Sequence, residues 1–127
     1  MLWLFLFICQ SVMLAQNNKV VKDVWRKIGE TQIDFKKETG EILITDEKRY
    51  GSVKIRVSNA TINLESFDIY FDNGEMQRVD IHQLVKSDSE TNAVNLNGKK
   101  TVKRIDLRYK SIGVISDVKP RVELWGI

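Results

Sequence analysis

Catalytic chemistry has few residues to draw on in this 127-residue chain, which holds one histidine, His82, and one cysteine, Cys9. A Ser-His-Asp device would have to use His82, and no Gly-x-Ser-x-Gly elbow offers a serine to it. A zinc site wants three or four ligands, and there is no second histidine. His82 shares the parity of Asp80, so it reads better as an exposed strand residue. Carboxylates are more numerous. Asp68, Asp72 and Asp80 alternate with apolar neighbours, which puts them on the outward face of a hairpin, and Asp106 joins them if its strand lies alongside. Paired acids hydrolyse glycosides when one of them is kept protonated. Here Arg78, Arg108 and Lys110 lie near them in the pattern and favour the ionised form, so cross-strand ion pairing is the stronger reading. Asp72-Asn73-Gly74-Glu75 has the oxygen atoms of a calcium loop but not its acidic ladder, and a tight turn accounts for the same residues. No phosphate-cradling glycine loop, dinucleotide fingerprint or metal motif occurs, so neither cofactor nor metal is expected.

Binding chemistry has more candidates. Tyr70 is outward by parity and Tyr109 inward, so Tyr70 with Asp68, Asp80 and His82 forms a candidate ligand-binding face. Trp25 and Trp125 stand near the two ends of the domain. They either stack on sugar rings or pack together where the first and last strands meet; flanking Ile28 and Leu124 favour packing. Lys99, Lys100, Lys103 and Arg104 make the densest basic patch in a chain of net charge +3. No stacking aromatics or recognition helix back that patch, so nucleic acid is not an expected partner. A solvated strand face explains the patch, and weak attraction to an anionic surface is the functional alternative.

These residues must be positioned by strands. Apolar side chains recur at every second position: Ile33 and Phe35; Ile42 and Ile44; Val53, Ile55 and Val57; Ile62 and Leu64; Phe67, Ile69 and Phe71; Val79 and Ile81; Val94 and Leu96; Ile105, Leu107 and Tyr109; Val122 and Leu124. Such alternation marks half-buried strands. Eight to nine of them, in a chain 43% hydrophobic and 29% charged, predict one all-β domain: an antiparallel β-sandwich, jelly-roll-like. Residues 18–28 admit a short N-terminal helix. The apolar set shifts phase at Glu65-Ser66 and again at Lys103-Arg104, which predicts bulges there. A two-residue Asn73-Gly74 turn would set core-facing Phe67 against a solvent-facing residue, so parity demands a three-residue loop, Asp72-Asn73-Gly74, with Gly74 left-handed. That loop places Phe67 opposite Val79 and Asp68 opposite Arg78. Residues 87–92 read as an exposed loop, Asn97-Gly98 as a turn, and Lys119-Pro120 as the start of the last strand.

The N-terminus has another purpose. Its first nine residues are almost purely apolar, residues 12–15 prolong the run, and no charge occurs before Lys19. The run is shorter than the roughly 20 residues that span a bilayer. It fits a signal peptide over residues 1–15 cut after Ala15, leaving a domain over 16–127 that is periplasmic or extracellular. An uncleaved anchor is the alternative, since no Lys or Arg opens the leader and Met13 is large for its position. Cys9 follows bulky Ile8, unlike a lipidation site, and the mature chain would be free of cysteine and of disulfides.

The Trp25-x-x-Ile28-Gly29 opening, the Tyr70-x-x-Asn73-Gly74 hairpin, the Asn95-Leu96-x-Gly98 segment, the Ile105-Asp-Leu-x-Tyr109 strand and the Leu124-Trp-Gly126 ending resemble a family of small exported bacterial domains of unknown function. The resemblance implies a β-sandwich and an envelope setting, and it transfers no catalytic residue. The expected function is therefore a non-enzymatic binding or structural module of the bacterial envelope, with polysaccharide, membrane surface or protein as partner. The alternative is a small secreted hydrolase using Asp68, Asp80, His82 or Asp106.

Overall fold

In the computed structural model, residues 24–110 and 119–127 are described. The leader, its cleavage position and residues 18–23 of the helical reading lie outside them. The rest of that reading is corrected: Arg26 opens a strand, because Ile28 must point inward while Lys27 and Glu30 reach water.

Nine strands are described. They are β1 (Arg26–Gln32), β2 (Thr39–Leu43), β3 (Tyr50–Ser58), β4 (Ile62–Phe71), β5 (Met76–Val85), β6 (Ser89–Glu90), β7 (Val94–Lys100), β8 (Val102–Lys110) and β9 (Arg121–Gly126). One sheet runs β1-β9-β3, with the short β6 and then β7 continuing along the far edge of β3; the other runs β2-β8-β4-β5. All pairings are antiparallel. Counting β6 and β7 as one interrupted strand, the strand order is that of a jelly roll, in which the first strand lies beside the last and the second beside the last but one.

The core lies between the sheets. Val53, Ile55, Val57, Val122 and Leu124 meet Ile62, Leu64, Phe67, Ile69, Ile105 and Leu107, all fully buried. Each such side chain contributes about 1.5–3 kcal/mol on leaving water. Tyr109 is also inward, and its hydroxyl donates to the carbonyls of Asp34 (3.0 Å) and Thr39 (3.2 Å), fixing the crossover from β1 to β2. The Ile33–Phe35 alternation is not a strand. Asp34 caps a turn there, its carboxylate accepting the Lys36 N–H and its carbonyl the Lys37 N–H.

The β4–β5 hairpin has the expected register: Phe67 faces Val79 and Asp68 faces Arg78. Gly74 has φ +89°, and its N–H donates to the Phe71 carbonyl while the Phe71 N–H donates to Glu75. The pairing slips between Leu64 and Ser66, where Glu65 is extra relative to β8, and between Tyr70 and Phe71, where Lys103 is extra on β8. Both phase shifts are thus bulges, which bend the strands so that the two sheets can pack.

Asn97-Gly98 does not reverse the chain. Both residues have positive φ, 59° and 109°, and the register against β3 changes between Tyr50 and Ser52. The pair is a kink within β7, since left-handed residues serve a bulge as readily as a turn. Residues 87–92 are more ordered than a free loop: β6 pairs with β3, and buried Thr91 accepts the Ile55 N–H through its hydroxyl oxygen at 3.0 Å.

Candidate functional site

The outer face of the second sheet gathers the residues with chemistry to offer. Alternation along β2, β8, β4 and β5 sends every second side chain outward, and the register aligns them in rows. One row is Thr39, Arg108, Ser66 and Asp80; the next is Glu41, Asp106, Asp68 and Arg78; the third is Leu43, Arg104, Tyr70 and Met76.

Asp68 is at the centre, and although it faces outward it is buried, its side chain 3% exposed. Arg78 of β5 lies over it with two hydrogen bonds, Nε to Oδ1 at 2.8 Å and Nη2 to Oδ2 at 3.1 Å. Arg108 of β8 closes from the other side at 3.4 Å and reaches the Ser66 hydroxyl at 3.5 Å. The Arg78 hydrogen bond, outweighing the opposing effect of burial, holds the Asp68 carboxyl below the usual carboxylate range. A group so held is ionised at neutral pH and does not suit the role of general acid.

Asp106, the Cα neighbour of Asp68, is taken up separately. Arg104 donates to it from Nε at 3.0 Å and from Nη2 at 3.3 Å, and also lies 3.5 Å from Glu41. The Arg104 guanidinium sits over the Tyr70 ring, 4.1 Å from its centroid. Tyr70 is therefore outward as expected, but one face of its ring is already stacked on a cation.

At the bulged end of the sheet, His82 is outward and exposed with φ +48°, and its Nδ1 lies 3.3 Å from Glu65, which Lys110 approaches at 3.9 Å. Two open grooves flank this region. One, about 520 Å³, is lined by Lys37, Thr39, Glu41, Asp106 and Arg108; the other, about 320 Å³, by Glu65, Ser66, His82, Arg108 and Lys110. Arg108 belongs to both. Among the described residues, no three His, Cys, Asp or Glu side chains cluster as a metal site would require.

The four candidate residues Asp68, Tyr70, Asp80 and His82 thus share one face. The basic patch is divided between the two sheets. Lys99 and Lys100 end β7 in the first sheet, with Lys100 4.8 Å from the Phe71 ring centroid and 3.7 Å from Glu75. Lys103 is the exposed bulge residue of β8, and Arg104 is turned to Asp106. Arg104 thus belongs with Asp106, and Arg78 and Arg108 belong with Asp68. The signal for their true place is the alternation Arg104-Ile-Asp106-Leu-Arg108, which puts cation, anion and cation on one face.

On the opposite side of the molecule, Trp125 lies in β9 beside Lys54, and the Lys54 ammonium sits 4.2 Å from the Trp25 ring centroid. Both tryptophans are half-buried on the outer face where the first and last strands pair.

The fold and this face define a small jelly-roll domain with a charged sheet surface. The chain belongs to the DUF2541 family, a domain of unknown function, whose model matches residues 1–126. No curated protein matches it. Among solved structures it is similar to Pseudomonas aeruginosa AlgX, with 10% identity and a TM-score of 0.54 over 80% of this chain. The match takes in 26% of the AlgX chain, so the chain spans about a quarter of that protein, and the likeness is one of fold.

Proposed function

We propose that the protein is an exported, non-enzymatic binding module that holds an envelope glycan across the outer face of its second sheet. The observation carrying this reading is the state of the arginines. Arg78 and Arg108 are fixed by a buried carboxylate yet remain 50% and 45% exposed, so their spare N–H groups are aimed at solvent. Donors fixed in advance lose little freedom when a ligand arrives. Interleaved with Glu41, Asp80 and Ser66, they offer a sugar hydroxyl both donors and acceptors at strand spacing, and the two grooves meeting at Arg108 give a chain of sugars a path. Asp68 and Asp106 are engaged in ion pairs, which supports binding over hydrolysis.

A glycan array probed with the purified protein, followed by calorimetry on the best glycan, tests this. Arg108→Ala is expected to weaken binding at least tenfold, about 1.4 kcal/mol, while Lys99→Ala leaves it unchanged. Equal affinity of the Arg108 variant, or no glycan bound at millimolar concentration, defeats the reading. Export has its own measurement. Intact mass of the protein from expressing cells is expected to correspond to residues 16–127, and a mature protein that keeps residues 1–15 contradicts cleavage after Ala15.

A further inference from the structure

Among the described residues β5 forms one edge of the second sheet, and its outer side carries a pattern that fits itself. Antiparallel ladders alternate hydrogen-bonded and non-bonded pairs. The Phe71 N–H donates to the Glu75 carbonyl, so Gln77 and Val79 also spend their backbone groups on β4. Met76, Arg78 and Asp80 therefore turn their N–H and C=O groups toward the open edge. Outward along the same stretch stand Met76, Arg78 and Asp80; inward stand Gln77, Val79 and Ile81, the last two only partly buried although they pack on the core. The stretch is bounded by the hairpin loop on one side and by the left-handed His82 on the other.

We infer that β5 pairs antiparallel with β5 of a second copy of this chain, about a two-fold axis through Val79. In that register Arg78 and the second copy's Asp80 exchange both backbone hydrogen bonds and face one another as an ion pair, twice by symmetry. Arg78 commits Nε and Nη2 to Asp68, leaving Nη1 for this contact. A shift of two residues either way sets Arg78 against Arg78 or Asp80 against Asp80, and a shift of one turns each inner face outward. Charge and pleat together select one register. It covers the partly exposed Val79 and Ile81 and joins the two four-stranded sheets into one of eight. The contact is short, so the dimer forms and dissociates with concentration.

The two-fold axis supplies a sharp test. Val79 meets its own copy as a non-hydrogen-bonded pair, with Cα atoms about 4.5 Å apart, within disulfide reach. Ile81 meets Gln77 instead, and its own copy is about 13 Å away at strand rise. In a Cys9→Ser background, Val79→Cys is expected to give a covalent dimer on mild oxidation and Ile81→Cys to stay monomeric. Crosslinking through Ile81, through both alike or through neither overturns the register. By sedimentation the unmodified protein is expected to shift from monomer to dimer as concentration rises, and Asp80→Lys to weaken association at least tenfold. Asp80→Lys changes an exposed side chain, so its folding is not at issue. A protein monomeric up to millimolar concentration, or a dimer that tolerates Asp80→Lys, overturns the pairing itself.

Discussion

Asp68→Ala is expected to destabilise the domain by about 2 kcal/mol. The substitution leaves Arg78 and Arg108 converging on a buried position with no anion between them. Breaking a fully buried ion pair from one side costs about 3–5 kcal/mol. Both arginines here are about half exposed, so water recovers part of that loss. The acid dependence follows from the direction of the shift. The folded carboxyl titrates below its unfolded value, because Arg78 and then Arg108 favour the anion. Its contribution is complete above the unfolded value of about 3.9 and is lost as pH falls through the folded one. Urea unfolding of wild type and Asp68→Asn should thus show a gap that is constant near neutrality and closes in acid. A gap that stays level down to about pH 2 would mean that the carboxylate's charge is not what Asp68 contributes.

Gly126→Ala is the second large effect. A Cβ on Gly126 would lie 2.8 Å from Cδ1 and 2.9 Å from Cγ of Tyr50, closer than carbon atoms approach. Tyr50 is buried, and its hydroxyl donates to Asp46 at 2.5 Å, so the ring cannot swing aside without losing that bond. Overpacking of this kind costs about 1–3 kcal/mol, or a fall in Tm of roughly 4–8 °C for each kcal/mol in a domain of this size. The phenol reports the displacement directly. Burial, and next the Asp46 hydrogen bond, push the Tyr50 hydroxyl up to about 12. An alkaline absorbance titration of Gly126→Ala should therefore show that tyrosine ionising at lower pH. An unchanged Tm together with an unchanged titration would show that the ring has room to spare.

The hairpin was legible in the sequence because side-chain parity constrains it from both strands. Phe67 and Ile69 on one strand and Val79 on the other admit a three-residue loop and no shorter one. The bulges at Glu65 and Lys103 were legible for the same reason, since a phase shift in a half-buried strand has to be absorbed. Burial of Asp68 was not. Parity says which face a residue occupies, but whether that face is covered depends also on Arg108, which arrives from a strand distant in sequence. The division of the basic patch was not legible, because proximity in sequence does not say that β7 and β8 belong to different sheets. Asn97-Gly98 misled because φ above zero is all that its residue types convey, and a bulge meets that need as well as a turn. The helical reading of residues 18–28 rested on the spacing of Val20, Val21, Val24 and Trp25, and from Arg26 onward pairing with β9 overrides it.

The placement of β9 bears on how the molecule comes into being. β9 lies between β1 and β3, pairing Arg26 with Gly126 on one side and Val53 with Gly126 on the other. Until Arg121–Gly126 has left the ribosome, β1 lacks its hydrogen-bonded neighbour and the first sheet has a gap at its centre. Nearly the whole domain must close as a loop before this pairing is rewarded, and such non-local topologies fold in milliseconds to seconds rather than microseconds. The first sheet therefore closes only once β9, the last strand described, is seated between β1 and β3.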